Sequence, residues 1–193
     1  MNAVTLEGTH VRLEPLRPDH AAALWAVARD PALWEWSPTP IARRADLDAY
    51  VERAVEDAEA GVALPFATVD VASGAVVGST RFGNWVPAHR RVEIGWTWIG
   101  RPWQRSAINT EAKLLMMRHA FETLRVNRVE WKTDALNARS RAAIARLGAR
   151  EEGTLRAHMV TASGRLRDTV YFSVTFEEWP GVRDRLAARL AAG

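Results

Sequence analysis

The spacing of hydrophobic positions along the chain switches several times between a period of two and a period near 3.6. His10 to Leu16 alternates and predicts a first strand, and Pro18 then stands at a helix N1 position before Asp19 to Trp25. That helix ends near Asp30-Pro31. The stretch Ala32 to Pro40 holds Trp34, Trp36, Pro38 and Pro40 and reads as irregular, and Arg44 to Ala60 follows as a second helix stopped by Gly61. Leu64 to Val71 and Ala75 to Phe82 form a hairpin around Ser73-Gly74. Val92 to Ile99 alternates again, and Leu114, Met117, Phe121 and Leu124 then recur at helical spacing. Downstream, strand Arg128 to Thr133 and helix Arg139 to Leu147, closed by Gly148, precede two strands at Ala149 to Leu155 and Arg167 to Phe176. Val182, Leu186 and Leu190 predict a docked final helix over Trp179 to Ala192. With no repeat, low-complexity tract or linker, the pattern predicts one mixed three-layer α/β domain over residues 1–193.

Composition narrows the chemistry. The 193 residues are 48% hydrophobic and 25% charged, as in ordinary soluble globular proteins. No stretch approaches the roughly 18 consecutive apolar residues of a membrane span, and the first residues lack a signal peptide's basic and apolar regions, so a cytoplasmic location is expected. The absence of cysteine excludes disulfides, thiolate metal sites and a cysteine nucleophile within the chain. The net charge of +3 is small although the pI is near 9.9, because almost every base is arginine; lysine occurs only at 113 and 132. Scattered arginine reads as a solvated surface, so no nucleic-acid partner is inferred. The five histidines show no metal-ligand spacing, and no Walker, dinucleotide or hydrolase-elbow motif is present.

The segment Arg91 to Leu124 is the most informative: a strand, a short polar loop and the N-terminus of an amphipathic helix. Helix N-termini present unpaired N–H groups and partial positive charge, so Gln104, Arg105, Ser106, Ala107, Ile108 and Asn109 are a candidate phosphate cradle, continuing to Thr110. In the strand before it, alternation places Val92, Ile94, Trp96 and Trp98 on one face and Glu93, Gly95, Thr97 and Ile99 on the other. The second face leaves room for a ligand beside a carboxylate. Glu93 is therefore a candidate pocket carboxylate, against the plainer reading of an ion pair with Arg81 or Arg91. Asn137 suits an N-cap, and helical spacing turns Ser140 inward with Ile144 and Leu147.

With Thr110-Glu111-Ala112 following, the loop resembles the acyl-CoA pyrophosphate motif of the GNAT superfamily of N-acetyltransferases, Q/R-x-x-G-x-G/A, and its RimJ/RimL-like branch in particular. Gln104 takes the first position, Ala107 the first glycine and Asn109 the final Gly/Ala, so two of the three positions depart from the motif. The order of elements extends the resemblance from about Val11 to Thr175. It implies a central mixed, largely antiparallel sheet of about seven strands, acetyl-CoA as cosubstrate, no metal, and direct attack of a primary amine. It also implies Glu93 as the base, Asn137 on the pantetheine arm, and Ser140 as proton donor to the departing sulfur. Backbone N–H groups of Trp98 and Ile99 become candidate donors to the acyl carbonyl, with Arg101 or Arg105 adding charge at the diphosphate. For the acceptor, Trp34 and Trp36 are the expected wall, followed by Trp85 and Trp103.

By the same resemblance the acceptor is a protein N-terminal amine, such as the alanine of a ribosomal protein. A small-molecule amine, an antibiotic or polyamine, is the alternative. Asp46, Asp48, Glu52, Glu56 and Asp57 read as one solvated helix face and do not decide between them. A non-catalytic acyl-CoA-binding module on the same fold also remains open, favoured by Ala107 and Asn109. Dimers through the late strands are common in similar folds.

Overall fold

A computed structural model describes residues 1–192, which form one eight-stranded sheet in the order β1-β2-β3-β4-β5-β6-β8-β7. The strands are β1 (Leu6–Glu7), β2 (Val11–Pro15), β3 (Leu64–Asp70), β4 (Val76–Val86), β5 (Arg91–Ile99), β6 (Arg128–Asp134), β7 (Arg150–Val160) and β8 (Leu166–Thr175). The helices are α1 (Ala21–Ala28), α2 (Arg44–Glu59), α3 (Ala107–Arg118), α4 (Ala138–Arg146) and α5 (Trp179–Ala191). The strand beyond the expected seven is the two-residue β1, too short to leave an alternation signal. Only β5 and β6 are parallel, as their crossover through α3 requires; the other neighbours pair antiparallel. Helices cover both faces. Phe66, Phe82, Met116, Met117, Phe121 and Phe172 fill the core under α3 and α5, and Leu24, Trp34, Leu47, Val51 and Trp98 fill a second core under α1 and α2.

Two features of β5 set up everything that follows. Its pairing with β6 covers only Arg91 to Glu93, while β5 itself continues to Ile99. Beyond Glu93 the two parallel strands separate into a wedge. The second feature is a bulge: Arg81 pairs with Gly95 but Ser79 pairs with Trp98, so three steps on β5 oppose two on β4. Trp96 sits there at φ 50°, outside ordinary strand geometry.

The bulge corrects the expected faces of β5. Strict alternation holds to Gly95 and then inverts. Trp96 lies against Arg81 and Gly83 on the Glu93 side, and Trp98 packs with Trp34 and Tyr50 under α1 and α2. Thr97 turns the other way, toward Lys113 of α3, and Ile99 joins the α3 core. An extra residue in a strand shifts every later side chain to the opposite face, and nothing in a two-residue period announces it.

The α3 helix is tied to the sheet through Glu111. Its buried carboxylate accepts from the backbone N–H groups of Thr9, His10 and Val11 at 2.9, 2.6 and 2.8 Å. At Gly8 a side chain would lie 2.5 Å from that carboxyl group, so glycine is required by close approach.

Candidate active site

Where β5 leaves β6, the loop Gly100 to Ser106 carries the chain to the N-terminus of α3. Ser106 is the N-cap: its Oγ accepts from Ile108 N–H at 3.4 Å and donates to Trp103 O at 2.7 Å. The left-handed residue is Arg105, at φ 62°. Ala107 and Asn109 lie in the first helical turn, so the extra methyl at 107 meets no positive-φ strain. Their N–H groups find no intrachain acceptor among the described residues, as helix N-termini require of groups left for an anion. Gln104 works within the protein, donating from Nε2 to Ile99 O at 2.9 Å and accepting from Arg139 of α4 at 3.4 Å. That clasp brings the first turn of α4 to the loop before α3, so two helix N-termini border the wedge.

The α4 end is capped by Asn137, whose Oδ1 accepts from Ser140 N–H at 2.9 Å. The Ser140 hydroxyl makes no intrachain hydrogen bond among the described residues and is half-buried. On the β5 side, Gly100 N–H donates to Val77 O at 2.8 Å. Antiparallel alternation then makes 79/98 a bonded pair and 78/99 an unbonded one, so the Ile99 N–H points into the wedge and the Trp98 N–H toward β4. Trp98 drops out as a backbone donor. Its ring is core, 5.3 Å from Trp34, and its indole N–H is buried without a partner.

Glu93 lies on the opposite side of the sheet from α3, 6% exposed. Neither Arg81 nor Arg91 pairs with it: Arg81 goes to Asp57 and Arg91 to Glu130. Its partners are Lys132 Nζ and Asn84 Nδ2, each 2.7 Å from the same oxygen, Oε2. Oε1 is left without a partner beside Gly95, where a Cβ would come within 3.0 Å of it. Burial opposes the Lys132 charge, but the Glu93 carboxylate outweighs it and holds the amine above the ordinary lysine range. Next to this pair opens a cavity of about 800 Å3, bounded by the end of β4, Trp96, Lys132 and Tyr171 and by Asp57 of α2. Asp57 thus leaves the solvated helix face predicted for it.

On the α3 side of the bulge stands the chain's other lysine. Lys113 is 3% exposed and donates to Thr80 Oγ1 at 2.7 Å and Thr97 Oγ1 at 2.8 Å, with no carboxylate beside it. Burial alone lowers its pKa to about 7.

A strand that abandons its parallel neighbour, with helix N-termini at the mouth of the gap, is now set beside known proteins. Residues 10–150 match the family described as Acetyltransferase (GNAT) domain. The chain belongs to that family. A GCN5-related N-acetyltransferase from Brucella melitensis is 36% identical, with a TM-score of 0.91 over 98% of this chain and 86% of that one. Mycobacterium smegmatis RimJ, solved in complex with CoA-disulfide, is 28% identical with a TM-score of 0.81 over 97% of this chain and 92% of that one. The Bacillus subtilis protein named "Putative ribosomal N-acetyltransferase YdaF" is 34% identical over 108 residues, which span 56% of this chain and only 58% of the relative.

Within this GNAT chain the expected acceptor wall is rearranged. Trp34 is 7% exposed, its indole donating to Ala28 O at 2.7 Å, and belongs to the core. Trp36 lies under Arg165, 5.9 Å from the guanidinium, away from the cavity beside Glu93. Trp85 does line that cavity, whereas Trp103 borders a separate hollow of about 540 Å3 near Arg101 and Asp30. Asn84 and Lys132 were missed in the sequence, and Arg81 entered it only as a possible ion-pair partner of Glu93. The available signal was the rarity of lysine: one of two in the chain falls on the strand beside Glu93. No helix among the described residues is long and apolar enough to cross a membrane, and no group of three or more potential ligands there could hold a metal.

Proposed function

We propose that this GNAT chain is an acetyl-CoA-dependent N-acetyltransferase in which a primary amine attacks directly. The observation that carries the reading is Glu93 Oε1, without a partner at the point where β5 parts from β6, its other oxygen held by Asn84 and Lys132 of the cavity wall. Acetyl-CoA, when bound, supplies an acetyl group activated as a thioester. The residues suit it: free N–H groups of Ala107 and Asn109 at α3 for the diphosphate, with Arg105 adding charge, and the inward Ile99 N–H for the acyl oxygen. Glu93 Oε1, directly or through a water, takes the proton that an ammonium must lose before its lone pair can attack. Asn84 and Lys132 fix the carboxylate through its other oxygen. Ser140, its hydroxyl free at the first turn of α4, is the proton donor for the leaving sulfur, and Asn137 holds that turn.

The finer reading is a protein N-terminal amine of the ribosomal type. It is supported by the names of YdaF and RimJ among the relatives. Thiol release from acetyl-CoA, measured against N-terminal peptides, polyamines and aminoglycosides alongside calorimetric titration of CoA, tests both levels. Glu93→Gln is expected to lower kcat by about 10²- to 10⁴-fold, and Ser140→Ala to lower it as well, with CoA affinity retained. CoA binding with no turnover on any amine would favour a binding module, and no CoA binding would sink the proposal.

A further inference from the structure

The cavity beside Glu93 has a chemical bias that the acetyltransferase reading does not require. Its charged walls are Arg81, Arg91, Arg128 and Lys132, with Asp57 and Glu130 the only carboxylates among them. The carboxylates are largely spent. Glu130 gives Oε1 to Arg91 at 2.8 Å and Oε2 to Arg128 at 3.0 Å, and Asp57 gives Oδ2 to Arg81 at 3.2 Å. Arg128 is also satisfied, by Glu130 and by Glu152. The cations keep donors in hand. Arg81 binds Asp57 through Nη1 alone, Arg91 binds Glu130 through Nη1 alone, and the remaining guanidinium N–H groups of both find no acceptor among the described residues.

Arg81 is the sharper case. It is 4% exposed, held with its guanidinium 5.1 Å from the Tyr50 ring and 5.2 Å from the Trp96 ring, and its Nε is buried with no hydrogen-bond partner. A buried N–H without an acceptor costs free energy that a ligand oxygen would recover. The unused Nε–Nη2 edge is the fork that takes a carboxylate through two parallel hydrogen bonds. Trp96, 44% exposed, is the side chain that can move to admit it. Among the described residues, the strong unspent acceptors adjoining this wall are the half-exposed Asp57 and Glu93 Oε1, where the amine belongs.

We propose that the acceptor is a primary amine that also carries a carboxylate, the amine facing Glu93 and the carboxylate facing Arg81 and Arg91. This rests on the acetyltransferase reading for the amine end only. A cavity of about 800 Å3 has room for such a molecule, whether a free amino acid or the first residues of an acidic N-terminal peptide. Polyamines, which offer the spare Arg81 and Arg91 donors no acceptor, and aminoglycosides, which offer them only neutral ones, are disfavoured.

The test is calorimetric and does not depend on turnover. N-acetylalanine and its uncharged amide, and an N-acetylated Ala-Glu-Ala amide beside its Ala-Gln-Ala counterpart, are titrated into the protein with and without saturating CoA. The carboxylate member of a pair is expected to bind about tenfold tighter, as one charge-assisted hydrogen-bonded pair implies. Preference within the first pair identifies a free amino acid, and within the second an acidic peptide. Arg81→Lys, which keeps the charge and loses the fork, and Arg91→Gln, at a half-exposed site that folding tolerates, should each shrink that preference. Equal affinity within both pairs, including no binding of any probe, would overturn the proposal, as would tighter binding of putrescine. Failure of CoA to bind would count against the acetyltransferase reading alone, because the comparison without CoA still reads the cavity.

Discussion

Lys113→Met turns the buried amine under the β5 bulge into a measurable pH dependence of stability. The amine is 3% exposed, meets only the hydroxyls of Thr80 and Thr97 and the Met116 sulfur, and has its pKa lowered from 10.5 to about 7 by burial. In the unfolded chain it returns to the ordinary lysine value near 10.4. Below about pH 7 both states carry the proton, and the folded state bears the full cost of a buried charge. Between about 7 and 10.5 the unfolded state binds one proton more than the folded one, so stability rises with pH by about 1.4 kcal/mol per pH unit, or about 5 kcal/mol over the interval. Methionine fills similar volume and carries no proton, and it leaves Thr80 and Thr97 bonded to each other at 2.8 Å. Urea unfolding followed by tryptophan fluorescence, from pH 6 to 9.5 for both proteins, isolates the effect, since every other titrating group is common to the two. The variant should be the more stable at pH 6, and its advantage should shrink by about 1.4 kcal/mol for each pH unit above about 7. A difference independent of pH would refute the reasoning, because it would mean that Lys113 keeps its proton in the folded state.

Three further substitutions probe separate joints of the fold. Glu111→Ala strands the N–H groups of Thr9, His10 and Val11 in a buried place and should cost about 3–5 kcal/mol in chemical denaturation; a loss under 1 kcal/mol would show the turn finding other partners. Asn137→Ala removes the α4 cap and should cost about 1 kcal/mol, while a fall in kcat beyond what Ser140→Ala produces would assign the Asn137 side chain a role in chemistry. Lys132→Arg keeps the charge beside Glu93 but offers a two-pronged fork that can occupy both carboxylate oxygens, so kcat should fall at least tenfold with folding unchanged. Wild-type turnover in that variant would mean that Oε1 is not the proton acceptor.

The periodic parts of the chain were legible because burial repeats at fixed intervals. The two long hairpin strands, the α3 face and the final helix all follow from alternation or 3.6-residue spacing; β8 was found to within one residue at each end, whereas β7 runs five residues beyond its expected end at Leu155. The loop before α3 was legible as a helix N-terminus, although which of its residues caps the helix was not, since Ser and Asn are equally good caps and only geometry separates them. The bulge at Trp96 was not legible. It depends on how β4 and β5 accommodate one surplus residue, a relation between two strands that no single stretch encodes. From that one miss came the wrong face for Trp96 and Trp98. Asp57 and Lys132 were illegible for a similar reason: each meets its partner across a gap of 24 and 39 residues.

The two departures of β5 from regular pairing also explain why two of the chain's 26 basic residues are lysine while the rest are arginine. Both lysines sit where β5 departs from regular pairing, one on each face of the sheet, and at both places a guanidinium would fail. Under α3 there is no carboxylate to compensate a charge, and arginine cannot lose its proton; only an amine can be neutral there and still donate to Thr80 and Thr97. That matters because Thr97 is the residue the bulge turns inward, so Lys113 holds the distortion that carries Trp96 and Trp98 to the other face. Beside Glu93 the need is reversed. The charge must persist, as the upward displacement of Lys132 indicates, but it must act at one oxygen so that the other stays available. A compact ammonium does this and a planar fork does not. The opposite displacements of the two amines, down to about 7 at Lys113 and upward at Lys132, therefore follow from two departures of β5: the bulge against β4 places one lysine against hydroxyls, and the parting from β6 leaves the other against a carboxylate.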